Sequence, residues 1–322
     1  YEWRNSRLFL KPGWPADTTT ADESPEVRGL AAADLDGDGL IEIVATTTQT
    51  QPTSAGGAQV FVFSADGSLF QPPGLSFPAW PRYNNFSGVG GDADRNGQGH
   101  SGYGCYGLNV GIGNIDDDGD REWRSVVMSA EGNGRDTIFC LDVTDTSAPE
   151  FLWEFSDPEL FRSRSSPAVA VIGRIFDVND NETKWVAFFV SGRNYDPNAY
   201  PAVDIVDIDT GAVLEKVVLD AIEAGKGGVP SGQPAIVDSD GNGYIDRAYI
   251  GTDKGYLYKI NLPDSATTAG GLSSVLVNAD FTDENSQTVD ADQRYHPIYG
   301  SPAVVVDNGL NSDGTVDYNV RI

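Results

Sequence analysis

The 322-residue chain is 39% apolar, with 37 Gly and 18 Pro dispersed among aromatic residues; this fits a folded, turn-rich protein and excludes collagen-like and disordered classes. Its 21 Lys and Arg stand against 48 Asp and Glu, a formal charge of −27. That charge repels phosphate backbones and anionic lipid, which argues against nucleic-acid and membrane-surface partners, and it suits divalent cations.

In chain order, Tyr1-Glu2-Trp3 opens abruptly and Val320-Arg321-Ile322 closes inside a strand-like pattern, so the chain reads as a possible fragment. No run of about 18 apolar residues occurs, so no membrane insertion is expected. One unit then repeats: a small-residue strand, an Asp/Asn/Gly loop, an apolar strand, and further strands ending in tight turns. The first copy runs GLAAA (29–33), DLDGDGLIE (34–42), IVATTT (43–48) and VFVFSADGSLF (60–70). The second runs LNVGIG (108–113), NIDDDGDRE (114–122), WRSVVMSA (123–130), TIFCLDVTD (137–145) and FLWEFSD (151–157). The third runs SSPAVAVIGRIF (165–176), DVNDNETKW (177–185) and AVDIVDIDTGAVLEKVVL (202–219). The fourth runs GQPAIV (232–237), DSDGNGYID (238–246), RAYIGT (247–252) and GYLYKINL (255–262); a fifth opens at Ile298 and is cut off.

The apolar stretches are short, rich in Val, Ile, Phe and Tyr, and bounded by Asp-Gly or Thr-Gly pairs, which are strand and turn signals. Helix signals are nearly absent apart from a short turn near Leu219–Ala224. The loops recur about every 60 to 80 residues, a rhythm that fits radially stacked blades with inserted loops. The expected fold is all-β: a β-propeller of about 5–7 blades, each of four antiparallel strands. A single propeller over 1–322 is expected, with the end of a preceding blade at 1–27 and blades at 28–80, 105–157, 165–219 and 228–282. A partial blade follows at 296–322, and an irregular insert lies at 81–104. Cys105 and Cys140 leave two readings open, one disulfide or two buried thiols.

The chemistry lies in the loops. A hard dication takes about six to eight oxygens, and alternating Asp or Asn with a Gly at the sharp turn can wrap one. Asp34, Asp36 and Asp38 alternate before Gly39, with Glu42 closing and Leu40 offering its carbonyl. Asn114, Asp116 and Asp118 precede Gly119, followed by Asp120 and Glu122. Asp238, Asp240 and Asn242 precede Gly243, with Tyr244 in the carbonyl place and Asp246 last. In all three the Gly is sixth and the closing acid ninth. An Asx-rich turn alone would explain one such loop, whereas three in register point to Ca²⁺. Weaker copies are Asn311, Asp313 and Asp317, and Asp92, Asp94 and Asn96, the latter with His100 in ninth place. Asp177, Asn179 and Asn181 alternate too, but Glu182 is sixth and Trp185 ninth, so this loop is expected to have lost its ion.

These residues carry two resemblances. The segment from Ala31 through the first loop, with GGAQVFVFSADGSL after it, resembles the FG-GAP/VCBS repeats of integrin-α-type propellers. From Trp123 onward the motifs, in order, resemble the C-terminal propeller of PilY-type proteins, tip adhesins and assembly factors of type IV pili. That second resemblance implies a modified propeller, a calcium loop controlling pilus extension and retraction, and an adhesive role. It matches the calcium loop to Asp238, Asp240, Asn242, Tyr244 and Asp246. It further implies pilins or minor pilins and host or surface ligands as partners, and an extracellular, pilus-tip or outer-membrane-associated location. Two departures stand out: at least three such loops where the family usually has one, and no Arg-Gly-Asp.

No enzyme is expected. His100 and His296 lie outside any metalloprotease helix or nucleophile elbow, and both cysteines lie in apolar strands. AVDIVDIDTGAV and GYLYKINL also resemble quinoprotein dehydrogenase repeats, yet Trp3, Trp14, Trp80, Trp123, Trp153 and Trp185 occupy no fixed repeat position. The competing non-enzyme reading is a secreted FG-GAP/VCBS lectin or matrix-binding propeller.

Overall fold

The computed structural model describes residues 2–4, 7–9, 26–48, 60–67, 105–114, 123–131, 137–144, 150–156, 170–191, 200–220, 227–230, 232–263, 273–276, 298, 300–310 and 316–321. Every element among them is a strand. Short runs of β-branched and aromatic residues, many of them ended by Gly or Asp, leave no stretch long enough to nucleate a helix.

The chain divides into two units, Tyr1–Asp116 with Asp120–Ser156, and Asp117–Gly119 with Asp157–Ile322. In the first, β1 (Glu2–Arg4) and β2 (Arg7–Phe9) form a hairpin. A three-stranded antiparallel sheet follows from β3 (Glu26–Ala33), β4 (Glu42–Thr48) and β5 (Val60–Phe63). A four-stranded meander is built from β6 (Cys105–Asn114), β7 (Trp123–Glu131), β8 (Thr137–Asp142) and β9 (Glu150–Ser156). Val44, Val62, Val126, Val127, Met128 and Leu141 are buried here. So is Cys140, a free thiol; burial foremost, and then Asp142, pushes its pKa well above the ordinary value.

The second unit holds two more four-stranded meanders. One is β10 (Ala170–Asp177), β11 (Glu182–Val190), β12 (Ala202–Asp207) and β13 (Val213–Val218); the other is β14 (Ala235–Val237), β15 (Arg247–Gly251), β16 (Leu257–Asn261) and β17 (Ser273–Leu276). A last hairpin joins β18 (Val305–Leu310) to β19 (Val316–Arg321). Each sheet is drawn from one consecutive stretch and runs in sequence order, the connectivity of a propeller blade.

Burial follows position in the sheet. All six residues of β12 are buried, whereas edge strand β13 alternates toward exposure, as expected when inner strands are covered on both faces and an edge is not. Phe188, Val190, Ile205 and Val217 of one meander form a single core with Ala248, Ile250, Tyr258 and Ile260 of the next. Fully burying a side chain such as Phe188 stabilises the unit by about 1.5–3 kcal/mol. The two meanders approach closely at Gly173, where a Cβ would lie 2.7 Å from Ile236 and 2.9 Å from Ile245.

The hairpin turns follow from local chemistry. In Asp207-Ile208-Asp209-Thr210-Gly211, the Asp207 carboxylate accepts the N–H groups of Asp209 (2.8 Å) and Thr210 (3.3 Å), and Gly211 takes φ 71°.

Candidate metal centre

The first and fourth loops each join the first two strands of their sheet, and they share one hydrogen-bonding scheme. In the first, the Asp34 carboxylate accepts the N–H groups of Gly37 (2.8 Å) and Gly39 (2.9 Å). Asp36 accepts Asp38 N–H (3.2 Å), Asp38 accepts Leu40 N–H (2.7 Å), and Glu42 reaches back to Leu35 N–H (2.9 Å). In the fourth, Asp238 accepts Gly241 N–H (2.7 Å) and Gly243 N–H (2.7 Å). Asp240 accepts Asn242 N–H (3.1 Å), Asn242 accepts Tyr244 N–H (2.8 Å), and Asp246 accepts Ser239 N–H (2.9 Å).

Both glycines of each loop sit in the left-handed region, Gly37 and Gly39 at φ 78° and 87°, Gly241 and Gly243 at φ 77° and 94°. The chain therefore curls around the carboxylate at the first position, with the acids at one, three and nine on the same loop. Carboxylate oxygens of Asp34, Asp36 and Glu42 all lie within 4.8 Å of one another. Among the described residues no other group of three acids, His or Cys converges so closely. The Asp38 carboxylate stands outside that group and Leu40 is exposed.

In the first loop, burial and like charge both act on Glu42. Burial pushes the Glu42 carboxyl above its ordinary value; the Leu35 N–H opposes this, and Asp36, Asp38 and Asp34 add to it by like-charge repulsion. An all-oxygen, anionic donor set of this kind fits a hard cation such as Ca²⁺, and each carboxylate keeps lone pairs beyond its backbone bonds. Asp34, Asp36, Asp38, Glu42 and the Leu40 carbonyl would hold it in the first loop. Asp238, Asp240, Asn242, Asp246 and the Tyr244 carbonyl would do so in the fourth.

The remaining sequence candidates divide differently. Asn114 is the last residue of β6, opposite Trp123; Asp116, Asp118, Asp120 and Glu122 lie outside the described residues. Asp92, Asp94, Asn96, Asn311 and Asp313 lie outside them too, and Asp317 occupies a backbone position in β19 opposite Gly309.

The third acidic turn is built otherwise. Its strands run up to Asp177 and Glu182, which face each other in the ladder, so the turn is a tight hairpin with Asn181 at φ 58°. The Lys184 ammonium lies 3.3 Å from Asp177, 3.2 Å from Glu182 and 4.0 Å from Asp207, and hydrogen-bonds to Asp180. The side chain is only 8% exposed. Burial alone would lower its pKa, but the hydrogen bonds to Asp180, Glu182 and Asp177 outweigh that and raise it above the ordinary lysine value.

Sequence reasoning did not single out Lys184. A signal was available: it is the eighth residue of its turn, where the other two described loops carry Ile41 and Ile245. Ser125 of β7 was also missed; its hydroxyl donates to the Leu35 carbonyl (3.2 Å) and ties the first loop to the next sheet.

A family model described as the PilY1 beta-propeller domain matches residues 92–309. The type IV pilus biogenesis factor PilY1 of Pseudomonas aeruginosa is 32% identical over 146 residues, 44% of this chain and 11% of that protein. A PilY1 homolog of Xylella fastidiosa is 30% identical over 164 residues, 48% of this chain and 11% of its own. The matches thus span about a tenth of these relatives' length. The crystal structure of the P. aeruginosa PilY1 C-terminal domain aligns with a TM-score of 0.45 and 22% identity, covering 62% of this chain and 40% of that one. A Bacillus licheniformis rhamnogalacturonan lyase aligns with a TM-score of 0.39 and 14% identity, covering 82% of this chain and 51% of that one. With the family model covering most of the blades described above, the chain belongs to the PilY1 β-propeller family.

Proposed function

We propose that this chain is a calcium-binding, non-catalytic β-propeller that serves type IV pilus biogenesis at the cell surface, through contact with pilins or minor pilins and with surface ligands. Family membership supports the pilus assignment, since its relatives are named as pilus biogenesis factors. The observation that carries the calcium reading is the hydrogen-bonding scheme shared by the first and fourth loops, together with the convergence of Asp34, Asp36 and Glu42.

Bound calcium supplies the positive charge that these loops lack. The protein's own groups do the rest. Backbone N–H donors hold Asp34 and Asp238 facing the loop centre, and each closing acid ties its loop to the strand that follows. Loops stiffened this way would present a defined surface to a partner. Among the described residues no helix is long and apolar enough to cross a membrane.

Thermal melting in millimolar calcium and in chelator tests the calcium reading: a higher midpoint with calcium is expected, and an unchanged midpoint refutes it. Pull-down with purified minor pilins, set against a glycan array, tests the partner. The array matters because the family model begins at residue 92. The first loop lies before that point, in the segment resembling FG-GAP/VCBS repeats, and so favours a lectin or matrix-binding reading for that blade.

A further inference from the structure

The fourth loop is gripped by the neighbouring sheet. Arg174 of β10 donates from Nε to the Gly243 carbonyl (3.1 Å), and its guanidinium carbon lies 5.1 Å from the centre of the Tyr244 ring. Thr183 of β11 donates its hydroxyl to the Tyr244 hydroxyl (3.1 Å), and Phe176 meets the same ring edge-on at 6.0 Å. The Ile245 N–H donates to the Arg174 carbonyl (2.8 Å). A Cβ on Gly243 would lie 2.6 Å from Arg174 Nη2.

All these contacts fall on places six to eight of the loop, between the last side-chain donor, Asn242, and the closing Asp246. That short stretch includes the carbonyl expected to complete the cation's shell. The gripping hairpin has its own positive charge in Lys184, set among Asp177, Asp180, Glu182 and Asp207. That ammonium offsets part of the turn's negative charge from within the hairpin.

We propose that Arg174 and Thr183 are positioning residues for the fourth cation loop: the β10–β11 hairpin, which carries its own ammonium in Lys184, sets the path of Gly243–Ile245 and so tunes cation affinity from the neighbouring blade. Linkage makes the effect reciprocal, so a bound cation tightens the junction between these two sheets. The inference rests on the calcium reading of the loop.

The sign of a mutational effect separates positioning from simple charge. Removing a guanidinium near a dication relieves repulsion, so electrostatics alone predicts tighter binding in Arg174→Met and no change in Arg174→Lys. Positioning predicts weaker binding in both, because lysine keeps the charge but loses the planar fork that serves the carbonyl and the ring together.

Hydrogen exchange of the full chain, followed by mass spectrometry across a calcium titration, reads the loops separately. In the parent chain, calcium is expected to slow exchange in peptides covering 238–246 and 170–177. Both variants should raise the calcium midpoint at 238–246 about fivefold or more and abolish the calcium response at 170–177, while peptides covering 34–42 keep their midpoint. A midpoint at 238–246 that is unchanged or lower in Arg174→Lys overturns the proposal and leaves the calcium reading standing. Absence of any calcium response at 238–246 in the parent chain sinks both. If Arg174→Met fails to fold, lost exchange protection in the core strands 182–190 and 247–261 reveals it, and Arg174→Lys decides.

Discussion

The Asp246 carboxylate accepts hydrogen bonds from both the backbone N–H and the hydroxyl of Ser239, seven residues earlier. In the first loop Leu35 holds the corresponding place and offers Glu42 only its N–H. Glu42 is one methylene longer and converges with Asp34 and Asp36, whereas the shorter Asp246 is held back by a second donor. Ser239 is 2% exposed, so its hydroxyl has no ready substitute in water.

Ser239→Ala should therefore destabilise the metal-free protein by about 1–2 kcal/mol, the loss of a buried hydrogen bond to a charged group. Urea denaturation in chelator measures it. In saturating calcium the difference should shrink, because the ion can serve the freed oxygen.

Gly243→Ala and Gly37→Ala differ in a way that isolates the neighbouring sheet. Both positions have positive φ, which costs a non-glycine residue about 1 kcal/mol. A Cβ at Gly37 meets nothing within 4 Å, whereas at Gly243 it would strike Arg174. Gly243→Ala should lower the thermal midpoint by clearly more than Gly37→Ala, and equal losses would show that the Arg174 contact yields freely.

Lys184→Met strands the buried carboxylates of Asp177 and Asp207 and should destabilise the chain by about 3 kcal/mol. The pH dependence has a defined sign. Because the folded-state pKa lies above the ordinary 10.5, this stabilisation is complete below that value and is lost as pH rises through the folded one. Denaturation midpoints of the parent chain should fall at alkaline pH above about 10.5, and the variant should lack that component.

The Tyr258 hydroxyl is fully buried and has no hydrogen-bond partner among the described residues. Burial foremost, then Tyr256 and Asp220, pushes its pKa up, so it stays neutral. Tyr258→Phe removes a desolvated polar atom without changing the ring that packs the core. Equilibrium unfolding should show stability unchanged or raised by about 1 kcal/mol; a clear loss would reveal a partner for this hydroxyl.

Much of the architecture was legible along the chain because its causes are local. Strands follow from short β-branched and aromatic runs closed by Asp and Gly, and the meanders follow from the order of those runs. The register shared by the two described acidic loops was legible to the residue, since first-position carboxylate, sixth-position glycine and ninth-position acid all act within nine residues. What neighbouring sheets contribute was not legible in this way. Arg174 meets Gly243 across 69 residues and Thr183 meets Tyr244 across 61, and no local period marks either pair. Lys184 shows the same limit. Its spacing from Asp180 is local, but its balance with Asp207 arises only when β11 pairs with β12. Short-range backbone chemistry thus sets where an acidic loop of this register can form, while the packing of one sheet on the next determines how each loop is braced from outside and which carboxylates from neighbouring strands a turn's own lysine meets.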